Sequence, residues 1–320
     1  MKKILITGAN GFIGSFLVEE ALQTNWQTFA GIRRSSNLEY LQNPEIQLID
    51  LNFPDKEKLK KQLAEHCNQY GKWDYIIHNA GLTKCVDHAD FDHVNYLFTK
   101  NLIETLQETG MIPEKFLLMS SLGAHHPQMN TAYGRSKRKA EEFLESQSGF
   151  PYIILCPTGV YGPREKDYYL MLKTLQAGWN LSAGFQPQQL TFIYVKDLVK
   201  AVFSALESPL KNKKYTVAEG AVYSDAEYVA IAKEALGKKF TIPVRIPLFV
   251  LQIVSVIAEE ISKITKKPST LNRDKYQIMK ERDWRCDITE IQRDLDFKAA
   301  YNLIHGMRET VDWYRSNNWL

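Results

Sequence analysis

The amino-acid sequence predicts an α/β fold, a doubly wound parallel sheet with a smaller, interleaved C-terminal domain. In the first half of the chain, short apolar runs such as KILIT, WDYIIHN and YIILCP alternate with longer helical patterns such as FIGSFLVEEAL. Parallel strands are buried on both faces and therefore form continuous apolar runs, and their alternation with helices indicates successive βαβ units. A glycine-rich junction, ITGANGFIGS, follows the first run and leads into the first helical pattern.

The regular alternation of strand and helix patterns ends after Pro163. A helical stretch and a Gly/Gln/Pro loop, AGFQPQQ, come before the strand-like run LTFIYV, and helical patterns then dominate to the end. We therefore expect two interleaved domains. The sheet domain is predicted to hold residues 1–164 and 190–222, and the smaller domain residues 165–189 and 223–320.

Composition narrows the class of partner. The 320 residues include 40 basic and 37 acidic side chains, for a net charge of +3, and no basic block stands out. This pattern disfavours nucleic acid and favours a small molecule. The four cysteines, at positions 67, 85, 156 and 286, contain no CxxC pair, which disfavours disulfides and a zinc site and is typical of a reducing cytosol.

Two apolar segments bear on membrane targeting. The N-terminal run MKKILITGANGFIGS is interrupted by glycine and asparagine, which disfavours a signal peptide. The longest uncharged run, Ile246 to Ala258, is shorter than the roughly 20 residues that a bilayer span needs. We expect no integral membrane segment and interpret this run as a buried or substrate-covering helix, with membrane contact as the alternative.

The glycine-rich junction predicts a dinucleotide site. Gly8, Gly11 and Gly14 lie where a strand turns into a helix. Glycines there allow a tight turn and close approach to a pyrophosphate, and the helix N-terminus offers amide N–H groups to an anion. A purely structural turn is the alternative, which the strand-before, helix-after context disfavours. The other loop residues expected to contact the dinucleotide are Asn10, Phe12 and Ile13.

The end of the second strand indicates which dinucleotide is bound. An acidic residue at this place binds the ribose hydroxyls of NAD, whereas an arginine accommodates the 2′-phosphate of NADP. The sequence reads AGIRRSS, with Arg33 and Arg34 at that place. NADP is therefore the preferred cofactor and NAD the alternative, unless both arginines are only solvated surface charge.

Tyr133 and Lys137, in the segment NTAYGRSKRKAEEF, lie four residues apart on a predicted helix and so share a face. A phenol has a pKa of about 10, and a neighbouring ammonium together with a positively charged nicotinamide favours its ionised form. The phenol could then exchange a proton with a substrate oxygen as hydride is transferred. Arg135, Arg138 and Lys139 are interpreted as solvated surface.

These segments together resemble the extended short-chain dehydrogenase/reductase enzymes, the NAD-dependent epimerase/dehydratase family. The resemblance rests on the GxxGxxG spacing, on LLMSSLG and YGRSK, and on CPTGVYGPRE and FIYVKDLVKAV. It implies a Rossmann domain that binds NAD(P), a second domain that binds substrate, and a homodimer. Ser121, Tyr133 and Lys137 match the family's catalytic set, and Asn95 matches an asparagine that holds the site's geometry, although a solvent-facing position is the alternative for Asn95.

The resemblance also implies further cofactor contacts. Asp50, followed by Leu51, would contact the adenine, and the small residues after the fourth strand would let the cofactor lie against the backbone. Tyr133 and Lys137 would contact the cofactor as well as the substrate. The remaining matched positions are Asn79, Ala80 and Gly81 after the fourth strand and Pro157 and Thr158 beside the nicotinamide.

Departures from the family pattern bear on the substrate. Many extended members bind nucleotide sugars, but Cys156 and Gly159 stand where the RPxNVYGP pattern has arginine and asparagine. The arginine guanidinium binds phosphate oxygens well, so the absence of these donors weakens the case for a nucleotide-sugar substrate. The apolar run Ile246 to Ala258 and the segments KPSTLNRDK and PTGVYGP resemble the hydroxysteroid-dehydrogenase-like and dihydroflavonol-reductase-like members, which implies a hydrophobic, steroid-like or other carbonyl substrate. His125 and His126 are interpreted as loop residues, with substrate contact as the alternative. The polar segment Asp87 to His93 shows no metal-site pattern, and no metal is expected.

Three functions remain open at this point. The leading hypothesis is a cytosolic oxidoreductase that transfers hydride between NADP(H) and a carbonyl or hydroxyl substrate. A nucleotide-sugar epimerase or dehydratase with retained NAD is the alternative. A non-catalytic dinucleotide sensor ranks lower, because a sensor needs the glycine loop but no tuned phenol.

Overall fold

A computed structural model describes residues 1–127 and 130–320 of the chain. The chain forms two compact units. The first contains Met1–His125, Ala132–Cys156 and Val199–Tyr215, and the second contains His126–Thr131, Pro157–Leu198 and Thr216–Leu320.

The first unit is built on a sheet in which seven strands are counted among the described residues, in the order β11-β6-β5-β4-β1-β2-β3. The ladders from β6 across to β3 are parallel, which confirms the predicted fold class. Apolar runs such as KILIT are almost completely buried because both faces are covered. The strands are β1 Lys3–Thr7, β2 Gln27–Ile32, β3 Gln47–Asp50, β4 Tyr75–His78, β5 Lys115–Met119, β6 Tyr152–Pro157 and β11 Lys213–Val217.

The helices that accompany this sheet supply the apolar side chains that cover it. Leu5, Phe29, Ile76 and Phe116 from the strands pack with Leu102 and other helix residues in one core. A short helix, α3, runs through a π-helical turn at Asp92–Leu97 directly into α4. The helices are α1 Phe12–Gln23, α2 Lys56–Tyr70, α3 Ala89–Phe91, α4 Phe98–Glu108, α5 Ala132–Glu145 and, extending across the boundary of the units, α7 Val195–Glu207.

The second unit has a core rich in aromatic rings. Tyr161 on β7 and Phe192 and Tyr194 on β10 pack with Tyr228 and Tyr314 from two helices. Its small sheets pair β7 Gly159–Tyr161 with β10 Phe192–Tyr194, β8 Trp179–Ala183 with β13 Ile242–Ile246, and β9 Gln189–Leu190 with β12 Tyr223–Ser224. Its helices are α6 Asp167–Gln176, α8 Asp225–Ala235, α9 Leu248–Thr265, α10 Arg273–Lys280, α11 Thr289–Leu295 and α12 Leu303–Ser316.

The bounds of the two units differ from the predicted domain bounds. Residues 157–164 and 190–198, assigned to the sheet domain from sequence, lie in the second unit, as do 126–131 and 216–222. The reason is local pairing, since β7 and β10 bond to each other and share the aromatic core.

The apolar run from Ile246 to Ala258 departs from its expected burial. Ile246 ends β13 and the rest lies in α9, but Ile253 and Ile257 are more than half exposed. The expectation of a buried helix was therefore wrong, because the inward side of α9 carries mostly polar residues such as Ser255 and Glu259. The alternative of a substrate-covering helix stays a prediction. Among the described residues, no helix is long and apolar enough to cross a membrane.

Asp197 fixes the chain just before α12. Its carboxylate is almost fully buried and accepts hydrogen bonds from the backbone N–H groups of Ala300 at 3.1 Å and Tyr301 at 2.9 Å. Each buried donor left without an acceptor costs about 1–3 kcal/mol. We expect Asp197→Ala to lower the free energy of unfolding by an amount in this range or above, measured by urea denaturation. Asp312→Ala, an exposed change on α12, is the control, and equal stability of both variants would contradict the assignment.

Candidate active site

The glycine loop brings the first and fourth strands into close backbone contact. Gly8 has φ +65°, and a Cβ built on it would lie 2.9 Å from the backbone of Ala80. A Cβ on Gly14 would lie 2.1 Å from the carbonyl oxygen of Gly8. A side chain at either position would therefore push the loop, the helix α1 and the end of β4 apart.

The N-terminus of α1 has the features of an anion site. Gly11 is the N-cap, and no side chain among the described residues caps it, nor does an acidic residue occupy the first turn. The backbone N–H groups of Phe12, Ile13 and Gly14 therefore have no intrahelical partner, and the helix dipole favours a negative charge there. These features fit the pyrophosphate of a dinucleotide.

Arg34 and Asp50, two of the predicted cofactor residues, form an ion pair at the ends of β2 and β3. Arg33 and Arg34 directly follow β2, and Asp50 is the last residue of β3. The Arg34 side chain is 93% exposed, and its Nε lies 3.2 Å from Oδ2 of Asp50. An ion pair this exposed contributes little, so the guanidinium stays available to another anion. Leu51, by contrast, is 2% exposed and packs in the core of the unit.

The small residues after β4 lie between the glycine loop and α5. The N–H of Ala80, next to Asn79, donates to Oγ1 of Thr7 at 3.1 Å. A Cβ on Gly81 would lie 2.9 Å from Oδ1 of Asn95 and 3.1 Å from Nζ of Lys137. Sequence positions 81, 95 and 137 are thus brought together at one point.

His78 connects this strand end to α4, a role that sequence analysis did not assign. Its Nδ1 hydrogen-bonds to Oγ1 of Thr7 at 2.9 Å and its Nε2 to Oγ1 of Thr99 at 3.0 Å. Thr99 in turn donates to the carbonyl oxygen of Asn95 at 2.8 Å. Burial, assisted by the charge of Lys137, lowers the pKa of His78 to about 3, so the ring is neutral.

Asn95 is 2% exposed, so the solvent-facing alternative for it was wrong. It lies on the π-helical turn, a local distortion often found at functional sites. Its Oδ1 accepts from the N–H of Leu82 at 2.7 Å, and its Nδ2 donates to the carbonyl oxygen of Leu82 at 3.1 Å and to Oγ of Ser136 at 2.9 Å. Asn95 therefore ties the segment after β4 to the first turns of α5.

The three predicted catalytic side chains lie in the first unit. Tyr133 and Ser121 share a side-chain hydrogen bond, and the Nζ of Lys137 donates to the carbonyl oxygen of Met119 at 2.9 Å. Burial raises the pKa of Tyr133, and the bond to Ser121 partly opposes that rise. Burial also lowers the pKa of Lys137 to about 8. The protein alone therefore holds Tyr133 as a protonated phenol, ready to donate.

Glu141 lies one turn beyond Lys137 on α5 and is fully buried, and sequence analysis missed it. Ser120, which precedes the predicted catalytic serine, donates to its Oε1, while His125 Nε2 lies 2.5 Å and Lys214 Nζ 3.1 Å from its Oε2. Burial alone raises the pKa of Glu141, but the bonds from His125 and Ser120 hold it below its usual value. The signal in the sequence was the spacing, because residues 133, 137 and 141 follow one helix face.

Potential metal donors also meet at Glu141. Donor atoms of His125, Glu141 and Cys156 all lie within 4.8 Å of one another. Burial raises the pKa of the Cys156 thiol, so it stays protonated, and Lys214 already balances the carboxylate. Hydrogen bonding and charge pairing account for this cluster.

Two predicted nicotinamide contacts, Pro157 and Thr158, fall in the second unit, and their place at the cofactor stays a prediction. Thr158 is buried and donates from Oγ1 to the carbonyl oxygen of Thr191 at 2.8 Å. His126, also in the second unit, hydrogen-bonds through Nε2 to the carbonyl oxygen of Asp283 at 2.7 Å.

Comparison with known proteins identifies the family. A model of the NAD dependent epimerase/dehydratase family matches residues 4–218, about two thirds of the chain. The chain belongs to this family. Among curated relatives, it is 25% identical to a ceramide reductase of Caulobacter vibrioides, over 99% of this chain and 96% of the relative. It is 26% identical to a putative UDP-glucose 4-epimerase of Methanocaldococcus jannaschii, over 98% and 99% of the two chains.

Solved structures share the fold over the whole chain. The UDP-glucose 4-epimerase of Thermotoga maritima, with UDP-glucose, has a TM-score of 0.79 at 21% identity and 99% coverage of both chains. The dTDP-glucose 4,6-dehydratase of Bacillus anthracis, in complex with NAD, has a TM-score of 0.76 at 19% identity, covering 99% and 98%. The protein is therefore an enzyme of the extended short-chain type that uses a nicotinamide dinucleotide for hydride transfer.

Two buried neutral histidines make stability depend on pH. The folded-state pKa of His78 is about 3 and that of His66 about 4, both below the ordinary 6.5. Below pH 6.5 the unfolded chain binds protons that the folded chain does not, so stability falls as pH falls, by about 1.4 kcal/mol per pH unit for each histidine. We expect His78→Gln to flatten the dependence of the unfolding free energy on pH between 6.5 and 4.5. An unchanged slope, or an equal effect of His305→Gln at an exposed site, would refute this linkage.

Proposed function

We propose that the protein is an NADP(H)-dependent reductase that transfers hydride to the carbonyl group of a hydrophobic, lipid-type substrate. The observation that carries the cofactor choice is the pair Arg33 and Arg34, which directly follows β2 where NAD enzymes have an acid. Asp50, the last residue of the neighbouring strand β3, forms an ion pair with Arg34 at 3.2 Å. The ceramide reductase relative supports a lipid substrate.

Two positions also disfavour a nucleotide sugar as substrate. Cys156, in place of an arginine, is 2% exposed, and its Sγ lies 3.8 Å from Glu141, so it offers no donor to a phosphate. Gly159 stands in place of an asparagine. A Cβ at this position would lie only 2.4 Å from the Tyr168 hydroxyl. No side chain fits at position 159 without displacing that ring.

The proposed mechanism assigns one task to each side chain. The bound dinucleotide supplies the hydride. The Oη of Tyr133 donates its proton to the substrate oxygen, and Oγ of Ser121 positions that oxygen by a second hydrogen bond. Lys137 stabilises the phenolate that Tyr133 becomes, and Asn95 holds the segment after β4 against α5.

The proposed cofactor contacts extend along the carboxyl edge of the sheet. The pyrophosphate would lie at the N-terminus of α1, and the adenosine beside the ends of β2 and β3. The proposed contact residues are Gly8, Asn10, Gly11, Phe12, Ile13, Gly14, Arg33, Arg34, Asp50, Leu51, Asn79, Ala80, Gly81, Tyr133, Lys137, Pro157 and Thr158.

A nucleotide-sugar epimerase or dehydratase with retained NAD is the second candidate. The names of relatives such as the Methanocaldococcus jannaschii protein favour it. Copurification of tightly bound NAD would support this candidate, whereas exchangeable NADP would support the reductase. We further propose that the enzyme is a homodimer and that it works in the cytosol. The four cysteines are all free thiols in the structure, which fits a reducing compartment.

Cofactor choice can be tested by removing both arginines. A hydrogen bond to a charged group contributes about 1.5–3 kcal/mol, so Arg33→Ala/Arg34→Ala should weaken NADPH binding by about 10- to 100-fold. NADH binding should change little, because NADH has no 2′-phosphate. Fluorescence titration of both cofactors measures the two affinities, with Lys61→Ala as a surface-charge control. Equal loss for both cofactors, or none, would overturn the NADP assignment.

The acid/base role of Tyr133 can be tested with Tyr133→Phe. Proton transfer by a positioned group accelerates a reaction by about 10²- to 10⁴-fold, so kcat should fall by that factor while NADPH binding stays intact. Lipid ketones, steroids and nucleotide sugars form the substrate panel, and Tyr70→Phe is the matched control. Near-normal turnover by Tyr133→Phe would exclude the proposed mechanism.

A further inference from the structure

In helix α9 of the second unit, polar side chains face inward and large apolar side chains face outward. The side chains of Ser255, Glu259 and Ser262 are turned inward and at most 6% exposed. Five of its apolar side chains are instead exposed, at 53–82%: Phe249, Ile253, Ile257, Ile261 and Ile264. A helix of a water-soluble surface normally shows the opposite arrangement.

The inward polar side is fully engaged, which fixes this orientation. Glu259 accepts hydrogen bonds from the backbone N–H of Arg273 at 3.0 Å and from its Nη1 at 2.6 Å, both at the start of α10. Ser262 donates to the carbonyl oxygen of Lys267 at 2.6 Å. Turning α9 over would break this ion pair and leave a charge without its partner.

The exposed apolar residues of α9 form one continuous stripe. Successive members are four, four, four and three residues apart, so they follow a single helix face. At 1.5 Å per residue the stripe from Phe249 to Ile264 is about 22 Å long. The stretch from Leu248 to Ala258 contains no charged residue. We call this face the α9 stripe.

A second exposed apolar surface lies just before the stripe in the chain. On the small sheet of β8 and β13, Trp179 pairs with Ile242, and Leu181 lies two residues along β8, all 45–51% exposed. Pro247 alone separates the end of β13 from α9. Tryptophan is the side chain most typical of the boundary between water and lipid.

Pairs of lysines stand next to both apolar segments in the chain. Lys266 and Lys267 come directly after α9, and Lys238 and Lys239 come directly before the 75% exposed Phe240. Glu260, the exposed acid of α9, is already paired with Lys263 at 2.9 Å. An apolar helix face bordered by lysines is the pattern of segments that lie on anionic lipid.

We propose that the α9 stripe docks the enzyme onto the surface of an anionic phospholipid bilayer, with α9 lying in the plane of the interface. The charge pattern selects this occupant, because a bilayer of anionic lipid neutralises the four lysines. A second copy of the chain would instead bring its own lysines onto the same face. The docking goes beyond the reaction and holds whichever substrate the enzyme reduces.

Vesicle sedimentation with the full-length enzyme tests this proposal. Wild type should sediment with phosphatidylcholine vesicles that contain a quarter phosphatidylglycerol, and at least tenfold less with phosphatidylcholine alone. Ile253→Ser/Ile257→Ser/Ile261→Ser should lower the partition coefficient at least tenfold, since each exposed isoleucine contributes apolar area only when inserted. Lys266→Glu/Lys267→Glu should also lower it about tenfold. Leu170→Ser/Val222→Ser/Ile304→Ser, three exposed apolar residues of the same unit, should bind like wild type.

Three outcomes would overturn the docking. These are absent sedimentation of wild type, unchanged binding by the isoleucine variant, and equal loss in the control triple. Loss of self-association in the isoleucine variant, seen by analytical ultracentrifugation without vesicle binding, would assign the stripe to a second copy instead. NADPH titration and thermal melting of every variant separate this result from misfolding and from failure of the proposed cofactor site.

Discussion

The buried carboxylate of Glu141 determines where α5 lies. A buried charge is stable only when it is paired or hydrogen-bonded, and three side chains from different parts of the chain bond to Glu141. Ser120 comes from the end of β5, His125 from the following loop, and Lys214 from β11. Because Ser120 adjoins Ser121, and Glu141 lies one turn from Lys137, satisfying this one charge also aligns the residues proposed to carry the reaction.

Neutral hydrogen bonds complete that alignment on the other side of α5. Asn95 is held on a π-helical turn and binds both the segment after β4 and Ser136. His78 extends the same network to Thr7, just before the glycine loop. The glycine loop is thus connected to α5 through uncharged side chains, which do not add to the charge near Tyr133 and Lys137.

The second unit combines an aromatic core with an exposed apolar helix. Tyr161, Phe192 and Tyr228 bury their rings together in a core that does not include the exposed apolar side of α9. That side is left exposed while Glu259 and Arg273 anchor the opposite one. Leu251 is the buried apolar residue among those described on α9, and about 22 Å of apolar stripe is left for an external partner.

The sequence by itself determined the sheet, the glycine loop and the pairing of Tyr133 with Lys137, because strand burial, helix periodicity and tight turns are local properties of neighbouring residues. Arg33 and Arg34 were also placed from the sequence, at the end of the second strand. Only the tertiary structure decided the burial of Asn95, the partners of Glu141, the role of His78 and the outward turn of α9. These depend on groups far apart in the chain, such as Glu141 with Lys214, and on whether a polar side chain finds a buried partner, which no local pattern records.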